Sequence, residues 1–86
     1  MSHHLYILYS TKINKYYIGY STNPDRRLGE HNSSENKNWT QRGQLWELKM
    51  TISYETESLA KKAERKLKKL KSRKVIEQVI EKGEFY

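Results

Sequence analysis

The residues of this chain best suited to chemistry are few. They are two tyrosines, Tyr6 and Tyr17, an arginine and a histidine one helical turn apart, Arg27 and His31, and one carboxylate among cations, Glu64. Phenols and imidazoles move protons. A guanidinium offers phosphate a planar fork of donors. A carboxylate in basic surroundings suits Mg²⁺, which takes one or two carboxylates and fills its remaining positions with water and phosphate oxygens. Together these groups suit proton transfer and charge stabilisation at a phosphate. Each also has a plainer reading: tyrosine is a good strand former, Arg27 and His31 suit a solvated helix, and Glu64 suits a surface ion pair with Lys61 or Lys68.

The elements that must position them follow from local pattern. Residues 5–11 and 16–21 are rich in aromatic and β-branched types, with Lys12, Ile13, Asn14 and Lys15 between them, which predicts a β-hairpin. A turn centred between Ile13 and Asn14 sets Ser10 opposite Tyr17, Leu8 opposite Gly19 and Tyr6 opposite Ser21. Opposed residues share a face, so Tyr6 and Tyr17 project to one side, with Gly19 leaving an open spot. Leu5, Ile7, Tyr9, Ile18 and Tyr20 then form the core face. Asn23, Pro24 and Asp25 read as a helix start, with Asn as N-cap, proline at the first helical position and an acid in the first turn. That helix runs to about Glu30 or a little beyond. It has one strong apolar residue, Leu28, and carries Arg27 and His31 on one face.

Residues 33–38 read as a polar, mobile loop, and residues 44–54 alternate enough to be a third strand. Thr56 caps a long helix with apolar positions Leu59, Ala63, Leu67 and Leu70, and Glu64 lies at the edge of that stripe. Ser72 caps a last helix carrying Val75, Ile76, Val79 and Ile80, and Gly83 stops it. The order ββαβαα predicts an α+β domain with a small sheet. At 86 residues the chain is expected to form one domain, 1–86.

Composition narrows the partner. The net charge is +7, and nine of the seventeen basic residues fall within residues 58–76, where Glu64 is the sole acid. Such a concentration calls for a polyanion, an anionic surface or simple solvation. No run approaches the ~18–20 apolar residues of a membrane span, and residues 5–9 are too short for a signal peptide. With no cysteine, thiol nucleophiles, disulfides and zinc–cysteine sites are excluded; a cytoplasmic location and no membrane partner are expected. Trp39 and Trp46 read as core or loop anchors, with Trp39 the better candidate for stacking on a base. His3 and His4 have no spaced third partner for zinc.

In this order and spacing the residues resemble the small single-domain branch of the GIY-YIG nuclease family, and the nuclease domain of the excision-repair nuclease subunit. Tyr17, Ile18 and Gly19 spell the second motif. His4, Leu5 and Tyr6 keep only the tyrosine of the first, His4 standing where the family has glycine. Ten residues separate the two tyrosines, Ser21 stands where the family has Ser or Thr, Arg27 follows Gly19 by eight, and His31 follows by four more. Ala63 and Glu64, followed by Leu67, Lys68, Lys69 and Leu70, match the acidic helix motif of the short branch.

The resemblance implies a three-stranded antiparallel sheet flanked by helices, and phosphodiester hydrolysis with one Mg²⁺ or Mn²⁺ ion held by Glu64. It implies a tyrosine as general base, Tyr6 ahead of Tyr17 with the exchange of roles left open. Arg27 stabilises the scissile phosphate and His31 orients or assists. Gly19, Ser21, Lys61 and Lys68 are assigned to nucleic-acid binding, with DNA ahead of RNA and repair or recombination as the setting. A phenol at its ordinary pKa of ~10 is a poor base, so nearby cations must lower it. The Asn motif and DNA-binding domain of longer members are not evident, so an appended module is not expected to choose the target. The competing readings are a catalytically silent nucleic-acid-binding module and a nuclease subunit active only with an unidentified protein partner.

Overall fold

A computed structural model describes residues 3–36 and 39–85. The hairpin forms from β1 (His3–Ser10) and β2 (Lys15–Ser21); α1 (Pro24–His31) follows, then a short 3₁₀ helix (Trp39–Gly43), β3 (Trp46–Tyr54), α2 (Glu57–Leu70) and α3 (Arg73–Lys82). The sheet is antiparallel with order β2-β1-β3, giving the expected α+β architecture, ββαβαα.

The helix starts are local chemistry. The side chains of Asn23, Thr56 and Ser72 accept from the backbone N–H groups of Arg26, Leu59 and Val75, so each helix has a donor capped by the residue before it. Gly83 ends α3 in the left-handed region at φ 73°, a conformation other residues resist.

The hairpin register differs from the expected one by two residues. Tyr6 pairs with Gly19, Leu8 with Tyr17 and Ser10 with Lys15. The cause is the turn: Asn14 adopts φ 54°, its side chain accepts from the Tyr9 hydroxyl at 2.5 Å, and Ser10 Oγ accepts from Ile13 N at 3.3 Å. The loop is therefore residues 11–14. A shift of two preserves parity, so Tyr6 and Tyr17 still share a face, now as diagonal neighbours.

Both faces of the sheet are cores, which corrects the expectation of one. Leu5, Ile7 and Ile18 pack against Leu67 of α2 and Val79 of α3. Tyr6, Leu8 and Trp46 form a second cluster, covered by Leu28 of α1 with Ile13, Tyr17 and Leu48. A β-bulge lets β3 serve both. Ile7 pairs with Met50 and Leu8 with Leu48, so Lys49 is the extra residue and the strand changes faces there. Trp46 and Leu48 point into the tyrosine cluster, while Met50, Ile52 and Tyr54 point into the other. The third strand expected over residues 44–54 is present but begins at Trp46, where the Gln44 side chain is turned back to His31 O at 2.9 Å and Ser33 O at 2.6 Å.

On α2 the buried positions are Ala60 and Leu67, with Leu59 and Leu70 about half exposed on its shoulders. Residues 33–36 of the polar loop are held by local bonds, Asn36 N to Ser33 O at 3.1 Å and Asn36 Nδ2 to His31 O at 2.9 Å. Lys37 and Asn38 lie outside the described residues.

Candidate active site

Tyr6 sits mid-strand on the central β1, and its side chain is fully buried. The phenol extends across β2 over Gly19. A Cβ built on Gly19 would lie 2.5 Å from Tyr6 Oη and 2.6 Å from Cζ. The open spot expected at Gly19 is therefore filled, and the glycine is required for space, since it lies in ordinary extended backbone within β2.

Around the phenol stand three of the expected groups. The α1 helix places Arg27 and His31 on the face turned to the sheet. The Tyr6 hydroxyl lies 3.4 Å from His31 Nε2, and the Arg27 guanidinium is near enough to act on it. The other side of Arg27 donates to Glu30 Oε1 at 2.9 Å, and its side chain remains partly open to solvent. Tyr17 closes the group, its ring centroid 4.4 Å from that of His31 and 6.2 Å from that of Tyr6. Glu64 approaches from α2 past the edge strand β2. Its carboxylate pairs with Lys68 at 3.3 Å, is 20 % exposed, and is near enough for its charge to act on the Tyr6 hydroxyl. Lys68 Nζ in turn lies 5.7 Å from the centroid of the Tyr17 ring.

These contacts fix the proton states. Burial pushes the Tyr6 phenol up to about 12; the Arg27 guanidinium offsets part of this, and Tyr17 and Glu64 add to it. The resting Tyr6 therefore keeps its proton at neutral pH, against the expectation that surrounding cations would lower it. His31 moves the other way. Burial first, then the Arg27 charge, hold its imidazole below the usual value, so it is neutral and can accept a proton. The Arg27 guanidinium is held firmly charged, chiefly by the neighbouring Tyr6 oxygen and then by Glu30.

Thr40, in the 3₁₀ helix, has no counterpart in the sequence reading. It is fully buried, its Oγ1 is 3.1 Å from His31 Nδ1, and it accepts from Asn36 Nδ2 at 2.8 Å. Its backbone oxygen accepts from Trp46 Nε1 at 2.6 Å. Asn36 and Gln44 also donate to the backbone oxygen of His31, which fixes the end of α1 that carries the imidazole. No periodicity or motif marks Thr40 in the sequence; only the return of the loop onto α1 brings it there.

Two expected residues stand apart from the tyrosines. Ser21 is buried, and its hydroxyl accepts from Asn23 N at 2.9 Å, which ties the turn into α1. Lys61 pairs with Glu57 at 3.2 Å and lies 5.6 Å over the Tyr20 ring. It does line a hollow of about 540 Å³ with Glu64, Arg65, Lys68 and Lys69. Among the described residues no group of three or more metal-ligating side chains occurs. The donor set at Glu64 is thus one carboxylate, which fits an ion completed by water and phosphate oxygens rather than one caged by protein.

Residues 2–77 match the family described as the GIY-YIG catalytic domain. The chain belongs to the GIY-YIG family. This is a nuclease-type family. The chain is similar to a UPF0213 protein of Enterococcus faecalis, 41 % identical over 81 residues, covering 92 % of this chain and 90 % of the relative. It is also similar to a UPF0213 protein of Halobacterium salinarum, 32 % identical over 68 residues, covering 79 % and 87 %. No solved structure matches. Membership makes nucleic acid the implied substrate of this GIY-YIG chain, and no helix among its described residues is long and apolar enough to cross a membrane.

Proposed function

We propose that this chain is a divalent-metal-dependent endonuclease that hydrolyses phosphodiester bonds, in DNA ahead of RNA, with 1–86 acting as one nuclease domain. The observation that carries this reading is the meeting at one phenol of a neutral proton acceptor, His31, a fixed cation, Arg27, and the field of a carboxylate, Glu64.

Because Tyr6 is protonated at rest, it acts as a base only by passing its own proton on. With Thr40 Oγ1 accepting from Nδ1–H, the lone pair of His31 Nε2 faces the Tyr6 hydroxyl. The attacking water gives its proton to the Tyr6 oxygen while the phenolic proton moves to Nε2. The resulting hydroxide attacks phosphorus, and the bond to the leaving oxygen breaks. Arg27, released in part from Glu30, binds the non-bridging phosphate oxygens where negative charge gathers. Tyr17, packed on His31, positions the phosphate and its water; with the roles exchanged it would be the base. Mg²⁺ or Mn²⁺ held by Glu64 would supply Lewis-acid stabilisation of the phosphate and of the leaving oxygen. Lys61 and Lys68 would track neighbouring phosphates, and Gly19 keeps room for the phenol.

The direct test incubates the purified chain with branched, nicked and single-stranded DNA and Mg²⁺ or Mn²⁺. Cleavage is expected, and its loss in Glu64→Gln; cleavage unchanged by that substitution would overturn the mechanism. A second reading, a silent binding module, is favoured by the engagement of Glu64 with Lys68 and by the proton retained on Tyr6. It predicts salt-sensitive binding and no cleavage with either metal.

A further inference from the structure

Beside the tyrosines lies a hollow whose chemistry hydrolysis does not use. It holds about 350 Å³, and its lining includes Tyr17, Trp39, Leu67, Ile76, Lys68 and Lys71. Trp39 is 48 % exposed, yet it is not a loose surface side chain. Its ring meets Trp46 edge-on, centroids 5.9 Å apart at 83°, and leans on Tyr17 at 6.0 Å. Trp46 is itself buried and bonded through Nε1 to Thr40 O. A half-exposed indole braced by a buried one is a rigid platform.

The same lining supplies the aliphatic side chains of Ile18, Leu67 and Ile76 and two ammonium groups, those of Lys68 and Lys71. A flat aromatic, an apolar wall and paired cations complement a nucleobase joined to its phosphate. The larger hollow on the other side of Lys68 differs in kind. It is cationic, has no indole, and contains Glu64. Lys68 lines both hollows and pairs with Glu64. Lys68 therefore joins a cationic trough for phosphates, which Glu64 also lines, to an aromatic recess for a base.

We propose that the recess lined by Trp39 and Tyr17 is a base-binding subsite, which receives an unpaired nucleobase next to the phosphate that is cut. In an uninterrupted duplex both faces of each base are already stacked, so a base reaches Trp39 only by leaving its stack, at a free-energy cost. The substrate class this selects is nucleic acid with an unpaired nucleotide at the cut: a single strand, a gap or a flap. Adjacency to a cleaved phosphate rests on the nuclease function proposed above; the base subsite does not.

The test measures binding of the full chain in EDTA, so that no strand is cleaved. The probes are labelled twelve-nucleotide oligothymidylate, oligodeoxyuridylate, oligouridylate, an abasic strand of the same length, and a blunt duplex. Oligothymidylate is expected to bind about tenfold or more tighter than the abasic strand, the value of roughly one stacked base. Trp39→Leu should erase that preference while leaving abasic-strand and duplex affinities unchanged, and Trp39→Phe should keep most of it. In the wild-type chain, oligothymidylate should quench tryptophan fluorescence and the abasic strand should not, which needs no variant to fold. A Trp39-dependent preference on either sugar upholds the subsite, and the ratio of oligodeoxyuridylate to oligouridylate binding, strands that differ only in the 2′-hydroxyl, identifies which sugar is read. Equal binding of base-bearing and abasic strands would overturn it. So would a Trp39→Leu loss of the same size on every probe, which would make Trp39 a packing residue. A base preference in a chain that cuts nothing would keep the subsite and remove the nuclease reading.

Discussion

Gly19→Ala puts the geometry under the most direct strain. The added methyl would stand 2.5 Å from Tyr6 Oη, 2.6 Å from Cζ and 3.0 Å from Cε1. Non-bonded heavy atoms settle at about 3.5–4.0 Å, so the phenol must withdraw by about 1 Å. It has little room to do so, because Tyr6 is fully buried on the central strand with Leu8, Trp46 and Tyr17 packed around it. Its approach to His31 Nε2, already 3.4 Å, would pass beyond hydrogen-bonding range. Overpacking of this kind costs about 1–3 kcal/mol, which for a chain of this size lowers Tm by roughly 5–20 °C. A reacting group misplaced by about 1 Å loses about a hundredfold in rate. The assay is kcat/KM for oligonucleotide cleavage beside a thermal melt. Nucleic-acid affinity should fall little, since Lys61, Arg65 and Lys69 line a different hollow. In a Tyr6→Leu background, where the ring is gone, Gly19→Ala should cost much less stability. Wild-type Tm and cleavage in Gly19→Ala, or the same penalty in both backgrounds, would refute the reasoning.

Thr40→Val keeps shape but removes the hydroxyl that meets His31 Nδ1 and Asn36 Nδ2. It should cost about 1–3 kcal/mol in a denaturant melt and at least about tenfold in cleavage, with Thr40→Ser restoring both. The acid limb of kcat/KM against pH should have its midpoint below 6.5, because His31 must be neutral to accept a proton and its pKa is lowered; a midpoint at or above 6.5 would contradict the relay. The same shift makes the folded chain disfavour protonated His31. Stability should therefore fall as pH drops from 6.5 through the folded-state value, and a melt at pH 5.5 against pH 7 should show less of this in His31→Gln. Lys61→Ala should weaken binding evenly across sequences and make the slope of log affinity against log salt shallower by roughly 1.

Much of this protein was legible without coordinates because its signals are local. Asn23, Thr56 and Ser72 cap the helices that follow them, and Gly83 stops the last, since a cap depends only on residues within one turn. The parity of Tyr6 and Tyr17 is likewise a property of strand period. The spacing of Tyr17, Gly19, Arg27, His31 and Glu64 identified the family before any contact was known.

What only the tertiary structure decided depends on contacts distant in sequence. Asn14 in the left-handed region moved the register by two and set Tyr6 over Gly19 rather than Ser21. The bulge at Lys49 divided one alternating apolar set between two cores, and so buried the tyrosine face. That burial, absent from any motif, is why the Tyr6 phenol is pushed up to about 12 and needs His31 as a proton acceptor. The support of Thr40 behind His31, and the bracing of Trp39 by Trp46, arise where a loop folds back on α1 and β3. Sequence period reports which face a side chain takes; desolvation and proton states depend on what the rest of the chain lays over that face.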